Sequence, residues 1–300
     1  LFASRNLALF SLVAFVLASR NLAELSYLSN RWPRLDEPAL RARLGVAGTG
    51  AIIFMILVTG AYLCHDSVRE HKFIKHPFGW NLEQGTEDSV DFFRESGLSG
   101  PIFNNYDLGS ALIFWHYPQE KVFVDNRPEA YSVSFFKEIY RPMQENAYDW
   151  EKYRQQYGIK TIYFGYADMT PWARSFLARI LKDPDWSLLY LDRYVVILAD
   201  RRETDNVLLD KHGLDANALR ARIRALASEA GYNSRLNLAF LAATAGQPDI
   251  SEEIFRQMLL DYADDGRVLA ALGTYYASTG NPVYVAQSIN YLSRAIAAGY

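Results

Sequence analysis

Two apolar runs near the start of the chain contrast with the mixed pattern of the later sequence. Residues 44–64 contain no charged side chain, and a helix of that length spans about 30 Å, the thickness of a hydrocarbon core. Residues 7–18 form a shorter apolar run between Arg5 and Arg20. The pattern predicts a transmembrane region at 1–66, with helices at about 6–25 and 44–64. The first run could instead be an interfacial helix or a signal peptide, and the second a buried helix of a soluble domain.

The sequence between the two runs is rich in arginine and poor in acids, with Arg20, Arg31, Arg34, Arg41 and Arg43. By the positive-inside rule this loop is cytoplasmic, so everything after about residue 66 is expected outside the cell membrane. Residues 67–85 mix basic and aromatic side chains. They are interpreted as a linker, which either contacts anionic lipid head groups or is an ordinary solvated connector.

Residues 86–203 alternate between short β-type runs and amphipathic helical stretches. Strands are predicted at 101–105, 121–125, 161–165, 186–191 and 194–199, the last two joined at Asp192 and Arg193 as a tight hairpin. Helices are expected between the earlier strands, including one capped by Thr170 with Pro171 at its first position. The pattern predicts an extracytoplasmic α/β domain with a small, mostly parallel sheet and an antiparallel edge hairpin.

Residues 207–300 are predicted to be all-helical, and part of this pattern repeats. Leu238 and Leu272 lie 34 residues apart, as do Gly246 and Gly280. This is the tetratricopeptide period, so we expect tetratricopeptide-like repeats that bind a protein partner; a generic helical bundle is the alternative. Two repeats are few for a stable solenoid, and more are expected after Tyr300.

Composition narrows the function classes. The 300 residues have a formal net charge of −3, which gives no indication of nucleic-acid binding, and the single cysteine, Cys64, permits no intramolecular disulfide. The sequence lacks a GxGxxG fingerprint, a Walker loop, an HExxH motif and a GxSxG elbow. We therefore expect neither a cofactor nor a metal site.

Polar residues follow two of the predicted strands, where ligands bind in open parallel sheets. The polar side chains of these two segments could together hold a sugar hydroxyl or a phosphate. The alternative is structural, with Asp107 capping a helix, Asn105 in a turn, and Arg127 paired with Asp125. The candidate binding residues are Asn104, Asn105, Asp107, Asp125, Arg127 and Glu129.

The same segments resemble a known family. Residues 101–131 look like the region after the last membrane span of bacterial GT-C glycosyltransferases, relatives of the dolichyl-phosphate-mannose and arabinose transferases. Their pattern is F-N-x-Y/W-x-x-G-x-x-L, followed by V-F-x-D-x-R-x-E-x-Y. Matching positions are Phe103, Asn104, Tyr106, Gly109, Leu112, Val122, Phe123, Asp125, Arg127, Glu129 and Tyr131. The similarity covers about residues 45–200.

The resemblance implies a protein of the bacterial inner membrane that transfers a sugar from a polyprenyl-phosphate donor. Family catalysis rests on an acidic residue in the first external loop, which this sequence lacks, so the catalytic residues are unknown. We interpret the chain as a piece of a longer protein that is inactive alone. The alternative is a non-enzymatic, membrane-anchored tetratricopeptide adaptor that binds a protein partner outside the cell membrane.

Overall fold

The computed structural model describes residues 86–300, together with Phe54. The helices predicted at 6–25 and 44–64, apart from Phe54, and the linker at 67–85 lie outside the described residues. In the described part of the chain, no helix combines the length and the apolar composition needed to cross a bilayer. Residues 86–300 all fall within one compact unit.

The first part of this unit is an α/β region. Its elements are α1 (Thr86–Glu95), β1 (Ile102–Asn104), α2 (Gly109–His116), α3 (Arg141–Glu145), α4 (Ala147–Tyr157), β2 (Thr161–Gly165), α5 (Pro171–Ile180), β3 (Trp186–Leu191) and β4 (Val195–Asp200). Two 3-10 turns, Tyr106–Leu108 and Pro128–Ala130, and a π-helix, Phe135–Tyr140, lie between β1 and α3. The predicted start of α5 is confirmed, because the Thr170 side chain accepts a hydrogen bond from the Ala173 N–H.

The four strands form one mixed sheet in the order β1-β2-β4-β3. β1 pairs in parallel with β2, whereas β4 pairs antiparallel with both β2 and β3. The prediction of a mostly parallel sheet is therefore wrong. β1, β2 and β3 do run in the same direction, as strand–helix alternation suggests, but the returning strand β4 inserts between β2 and β3. The predicted hairpin is confirmed, but its turn lies one residue later, at Arg193 and Tyr194, because the Asp192 N–H donates to the Val195 carbonyl oxygen at 3.2 Å.

The strand predicted at 121–125 is also wrong. Only Val122 forms a bridge, in parallel with Ile102 of β1. The next backbone groups, of Phe123 and Val124, bond instead to the side chain of Asn104. Hydrogen bonds to the Asn104 side chain thus replace the backbone hydrogen bonds that a strand at 121–125 would form.

Helices cover both faces of the sheet, because successive residues of a strand point to opposite sides. Ile102, Tyr163 and Ile197 pack on one face with α1 and α2. Phe103, Phe164 and Leu198 pack on the other face, in a core shared with α3, α4 and α5.

The second part of the unit is entirely helical. Its elements are α6 (Asn206–His212), α7 (Ala216–Glu229), α8 (Tyr232–Thr244), α9 (Pro248–Asp261), α10 (Gly266–Ser278) and α11 (Val285–Ala297). α8 packs on α9, and α10 on α11, as two helix pairs. Gly246 and Gly280 follow the first helix of each pair with φ of +75° and +65°, a conformation that favours glycine. The two glycines that lie 34 residues apart thus each follow the first helix of a pair.

The core of the α/β region continues into the helical region. Ile223 of α7 and Phe255 of α9 belong to the same apolar cluster as Phe164 and Trp186. The Arg222 Nε–H of α7 donates to the Leu191 carbonyl oxygen at 2.9 Å, at the end of β3. The helices therefore pack directly on the α/β region.

Candidate functional site

Asn104, the last residue of β1, joins the two segments that carry the candidate residues. Its Nδ2 group donates to the carbonyl oxygens of Val124, at 2.7 Å, and Asn105, at 2.9 Å. Its Oδ1 atom accepts from the Phe123 N–H at 2.9 Å. The side chain is fully buried, and its donors and its acceptor are used within the protein. Asn104 therefore has a structural role, which the sequence analysis gave only to its neighbours.

A close backbone approach adds a second connection between the segments. A Cβ atom on Gly109, the first residue of α2, would lie 2.1 Å from the Val124 carbonyl oxygen and 2.4 Å from the Asp125 Cα atom. Any larger residue would push α2 away from this segment. The hydroxyl of Ser110 also donates to the Asn126 Oδ1 atom. The two halves of the family-like pattern thus pack directly against each other.

Asp125 is buried, and its carboxylate accepts four hydrogen bonds. The Arg127 side chain donates from Nε to Oδ1 and from Nη2 to Oδ2, both at 2.8 Å, and its backbone N–H donates to Oδ1 at 3.0 Å. The Tyr131 hydroxyl donates to Oδ2 at 2.9 Å. The Arg127 hydrogen bonds, opposed by burial and assisted by Tyr131, lower the pKa of Asp125 to about 2. Asp125 is therefore ionised at neutral pH and is poorly suited to act as a general base.

Arg127 is paired as the structural alternative predicts, but it is not buried. Its side chain is 62% exposed while it forms the paired hydrogen bonds with Asp125. Glu129 lies beside it in the exposed turn Pro128–Ala130. The remaining faces of these two side chains are accessible to a ligand, while Asp125 below them holds the loop in place.

Asn105 and Asp107 lie at the adjoining ends of β1 and β2. Asn105 is buried, and its Oδ1 atom accepts from the Gly165 N–H at 3.0 Å. Asp107 is exposed in the turn Tyr106–Leu108. Its expected role as a helix cap is wrong, because α2 begins after Leu108 without a side-chain cap.

A second carboxylate at this edge, Asp168, was not among the predicted site residues. Partial desolvation of the Asp107 carboxyl group, together with the negative charge of Asp168, raises the pKa of Asp107. Asp168 accepts from the hydroxyl and the backbone N–H of Thr170. The position of Asp168 shortly after β2 could have indicated this placement, because the carboxyl ends of neighbouring parallel strands lie at the same edge of a sheet.

Another missed cluster lies at the opposite end of the sheet. Asp200, at the end of β4, is completely buried and pairs with Arg154 and Arg202 at 2.9 Å each. Arg154 also binds Glu151 at 2.7 Å. The sequence offers no local signal that brings Arg154 to Asp200, since these two residues are 46 positions apart.

The candidate residues thus form two adjoining groups, connected through Asn104 and Asn105. Asn104, Asn105 and Asp125 are structural, whereas Asp107, Arg127 and Glu129 present accessible charges. Across residues 86–300, no three His, Cys, Asp or Glu side chains are placed to hold a metal ion together. Comparisons of the chain with models of protein families, with curated proteins and with solved structures found no match.

Proposed function

We propose that residues 86–300 form a non-catalytic binding module of a larger membrane protein. The use of the buried polar groups supports this proposal. Asn104 directs its hydrogen bonds to another segment of the same module, and Asp125 accepts hydrogen bonds from residues of its own loop. A carboxylate bound by Arg127 and Tyr131 has little capacity left to accept a proton from a substrate.

For the parent protein we propose the GT-C glycosyltransferase type, acting on a polyprenyl-phosphate-linked sugar at the outer face of the bacterial inner membrane. The resemblance of residues 101–131 to that family supports this proposal. The contacts of Asn104 and Gly109 with residues 123–125 give a physical reason for the two halves of the pattern to occur together. The catalytic acid would lie in a loop that is not part of this sequence.

The second candidate is a membrane-anchored adaptor without enzymatic activity. It is favoured by the helical region, where two helix pairs with equivalent glycines follow each other at a spacing of 34 residues. Under this proposal the pairs are tetratricopeptide-like repeats that bind a protein partner. Residues upstream of Leu1 would discriminate, since several spans with an acidic residue in the first external loop favour the enzyme.

The substitution Arg127→Lys in the full-length parent tests whether this module takes part in transfer. Lysine cannot form the paired hydrogen bonds that arginine forms with a carboxylate. We expect a lower melting temperature and unchanged transfer activity per folded molecule. Lost transfer with an unchanged melting temperature would instead make Arg127 a substrate-binding residue. Arg201→Lys is the control, because Arg201 lies in the same domain outside the candidate groups.

Sidedness is tested with single cysteines in a Cys64→Ser background. Ser293 is exposed on α11, so Ser293→Cys should react with an impermeant thiol reagent on spheroplasts. Ser29→Cys, in the predicted cytoplasmic loop, should react only after the membrane is opened. The reverse pattern would overturn the proposed localisation.

A further inference from the structure

The last helix, α11, exposes a continuous apolar stripe. Val285, Ile289 and Ile296 are 54%, 60% and 72% exposed, and the half-buried Leu292 lies between them. Spacings of four, three and four residues place these side chains on one helix face, along about 16 Å. Single exposed aliphatic residues are common on protein surfaces, whereas a contiguous apolar patch indicates an interaction site.

The preceding helix pair provides an internal template for this face. Ser251 of α9 and Ser288 of α11 are both buried and lie 37 positions apart. The offset exceeds 34 because the short turn Pro282–Tyr284 precedes α11. With this offset, the four stripe positions correspond in order to Pro248, Glu252, Phe255 and Leu259.

In α9 the equivalent face is covered by α10, the first helix of the next pair. The Tyr275 hydroxyl donates to the Pro248 carbonyl oxygen at 2.8 Å, and the Tyr275 ring lies 5.9 Å from the ring of Phe255. The Tyr276 hydroxyl donates to Glu252 Oε1 at 2.8 Å. The second helix of one pair therefore binds the first helix of the next through these positions.

One chemical difference defines what α11 can bind. Ile289 occupies the position of Glu252 and offers no acceptor for a hydroxyl group. A tyrosine placed there, as Tyr276 is on α9, would lose its hydrogen bond, and a buried unpaired hydroxyl is costly. A large aliphatic side chain or phenylalanine would bury its full surface against Ile289.

We propose that the α11 stripe, Val285, Ile289, Leu292 and Ile296, is a docking surface for an amphipathic helix. This helix lies on α11 as α10 lies on α9, and it presents an aliphatic side chain or phenylalanine to Ile289. The bound helix would contact α11 through the positions equivalent to those by which α9 contacts α10. It depends neither on sugar transfer nor on the sidedness of the module, so it can fail independently of the proposed function.

The test extends the full chain with a helix pair in the correct register. A second copy of residues 264–300, joined directly after Tyr300, reproduces the α9-to-α10 spacing beyond α11. One version carries Tyr276→Leu in the added copy, and another keeps the tyrosine. Hydrogen exchange of the α11 amides, compared with the unextended chain, measures docking.

With leucine in the added copy, we expect exchange of the α11 amides to slow by about tenfold or more, because docking suppresses local opening. Ile289→Arg should abolish this protection. Asn290→Arg, at an exposed position on another face of α11, should leave it unchanged. With tyrosine in the added copy, protection should be weaker, and Ile289→Glu should restore it by supplying the acceptor that Glu252 supplies.

Equal α11 exchange in the extended and unextended chains would overturn the proposal. Protection that survives Ile289→Arg would also overturn it. Sedimentation of the unextended chain provides a separate check. If that chain self-associates and Ile289→Arg makes it monomeric, the stripe binds a second copy of the chain and the proposed occupant is wrong.

Discussion

In the α/β region, the buried side chains of Asn104 and Asp200 connect segments that are distant in sequence, whereas in the helix pairs the charged side chains meet at the surface. Asn104 replaces a strand ladder, and Asp200 binds two arginines while completely buried. Buried polar groups of this kind stabilise only when their partners are all in place. The α/β region therefore depends on exact polar geometry.

The helix pairs depend mainly on filled volume. Leu238 and Leu272, 34 positions apart, are both fully buried, as is Phe255. Ion pairs such as Arg224–Glu253, at 2.7 Å, connect neighbouring helices at exposed positions. Exposed pairs contribute little to stability because water and salt screen them. The two regions should therefore respond to different substitutions, and the following predictions, from the largest effect to the smallest, test that difference.

Phe255→Ala should have the largest effect, lowering the free energy of unfolding by about 3–5 kcal/mol, because it leaves a cavity in the core. The Phe255 ring packs against the rings of Phe240 and Tyr275. Urea unfolding followed by circular dichroism measures the change. Leu260→Ala is the control, since Leu260 is 77% exposed on the same helix. Equal effects of the two substitutions would show that the assigned packing of α9 is wrong.

Asn104→Ala should lower the free energy of unfolding by about 2–4 kcal/mol, because it leaves the Phe123 N–H and the Val124 carbonyl without their side-chain partner. Asn126→Ala is the matched control. It removes only the contact with the exposed Ser110 hydroxyl, so about 0.5 kcal/mol or less is expected. An Asn104→Ala protein as stable as the control would contradict the dependence of the α/β region on buried polar groups.

Acid should destabilise the α/β region through His116. Burial, assisted by the positive charge of Arg94, lowers the pKa of His116 from 6.5 to about 4. The unfolded chain binds a proton below about pH 6.5 that the folded protein does not bind until about pH 4, so stability falls over that interval.

Tryptophan fluorescence reports mainly on this region, because four of the six tryptophans, Trp115, Trp150, Trp172 and Trp186, lie within it and the sequence after residue 203 contains none. The melting temperature should fall between pH 6.5 and pH 4. His116→Phe should flatten this dependence, because the phenyl ring does not titrate. An unchanged slope in the variant would show that other groups cause the acid sensitivity.

Asp261→Asn should have the smallest effect, about 0.5 kcal/mol or less, because Asp261 pairs with Arg235 near the surface of the helix pairs. Its effect should shrink further in 1 M salt, where charges are strongly screened. If Asp261→Asn lowered the free energy of unfolding as much as Asn104→Ala does, the two regions would not differ in their dependence on polar contacts.

Much of the local structure was predictable because its signals lie within a few residues. Thr170 followed by Pro171 starts α5, and Gly246 and Gly280 end α8 and α10. The hairpin of β3 and β4 followed from two β-type runs joined by a short polar turn. In each case the physical cause is a cap, a positive φ or a turn, which acts over one or two turns of chain.

The candidate site was predictable only in part. The Asp125–Arg127 pair could be anticipated because the two residues lie two positions apart and a guanidinium matches a carboxylate. The exposure of Arg127 and the failure of Asp107 to cap α2 could not. Both depend on how these segments pack in the folded chain, and nothing local in the sequence specifies that packing.

The sequence by itself determined the helix and strand boundaries that local signals set and the positions of Gly246 and Gly280 after α8 and α10. Tertiary structure alone decided that β4 inserts between β2 and β3, that Asn104 takes the place of a strand at 121–125, and that Asp200 joins Arg154. The physical reason is the range of the interactions. Caps and turns are complete within a short segment, whereas strand order and buried polar pairs depend on which distant segments meet when the core closes.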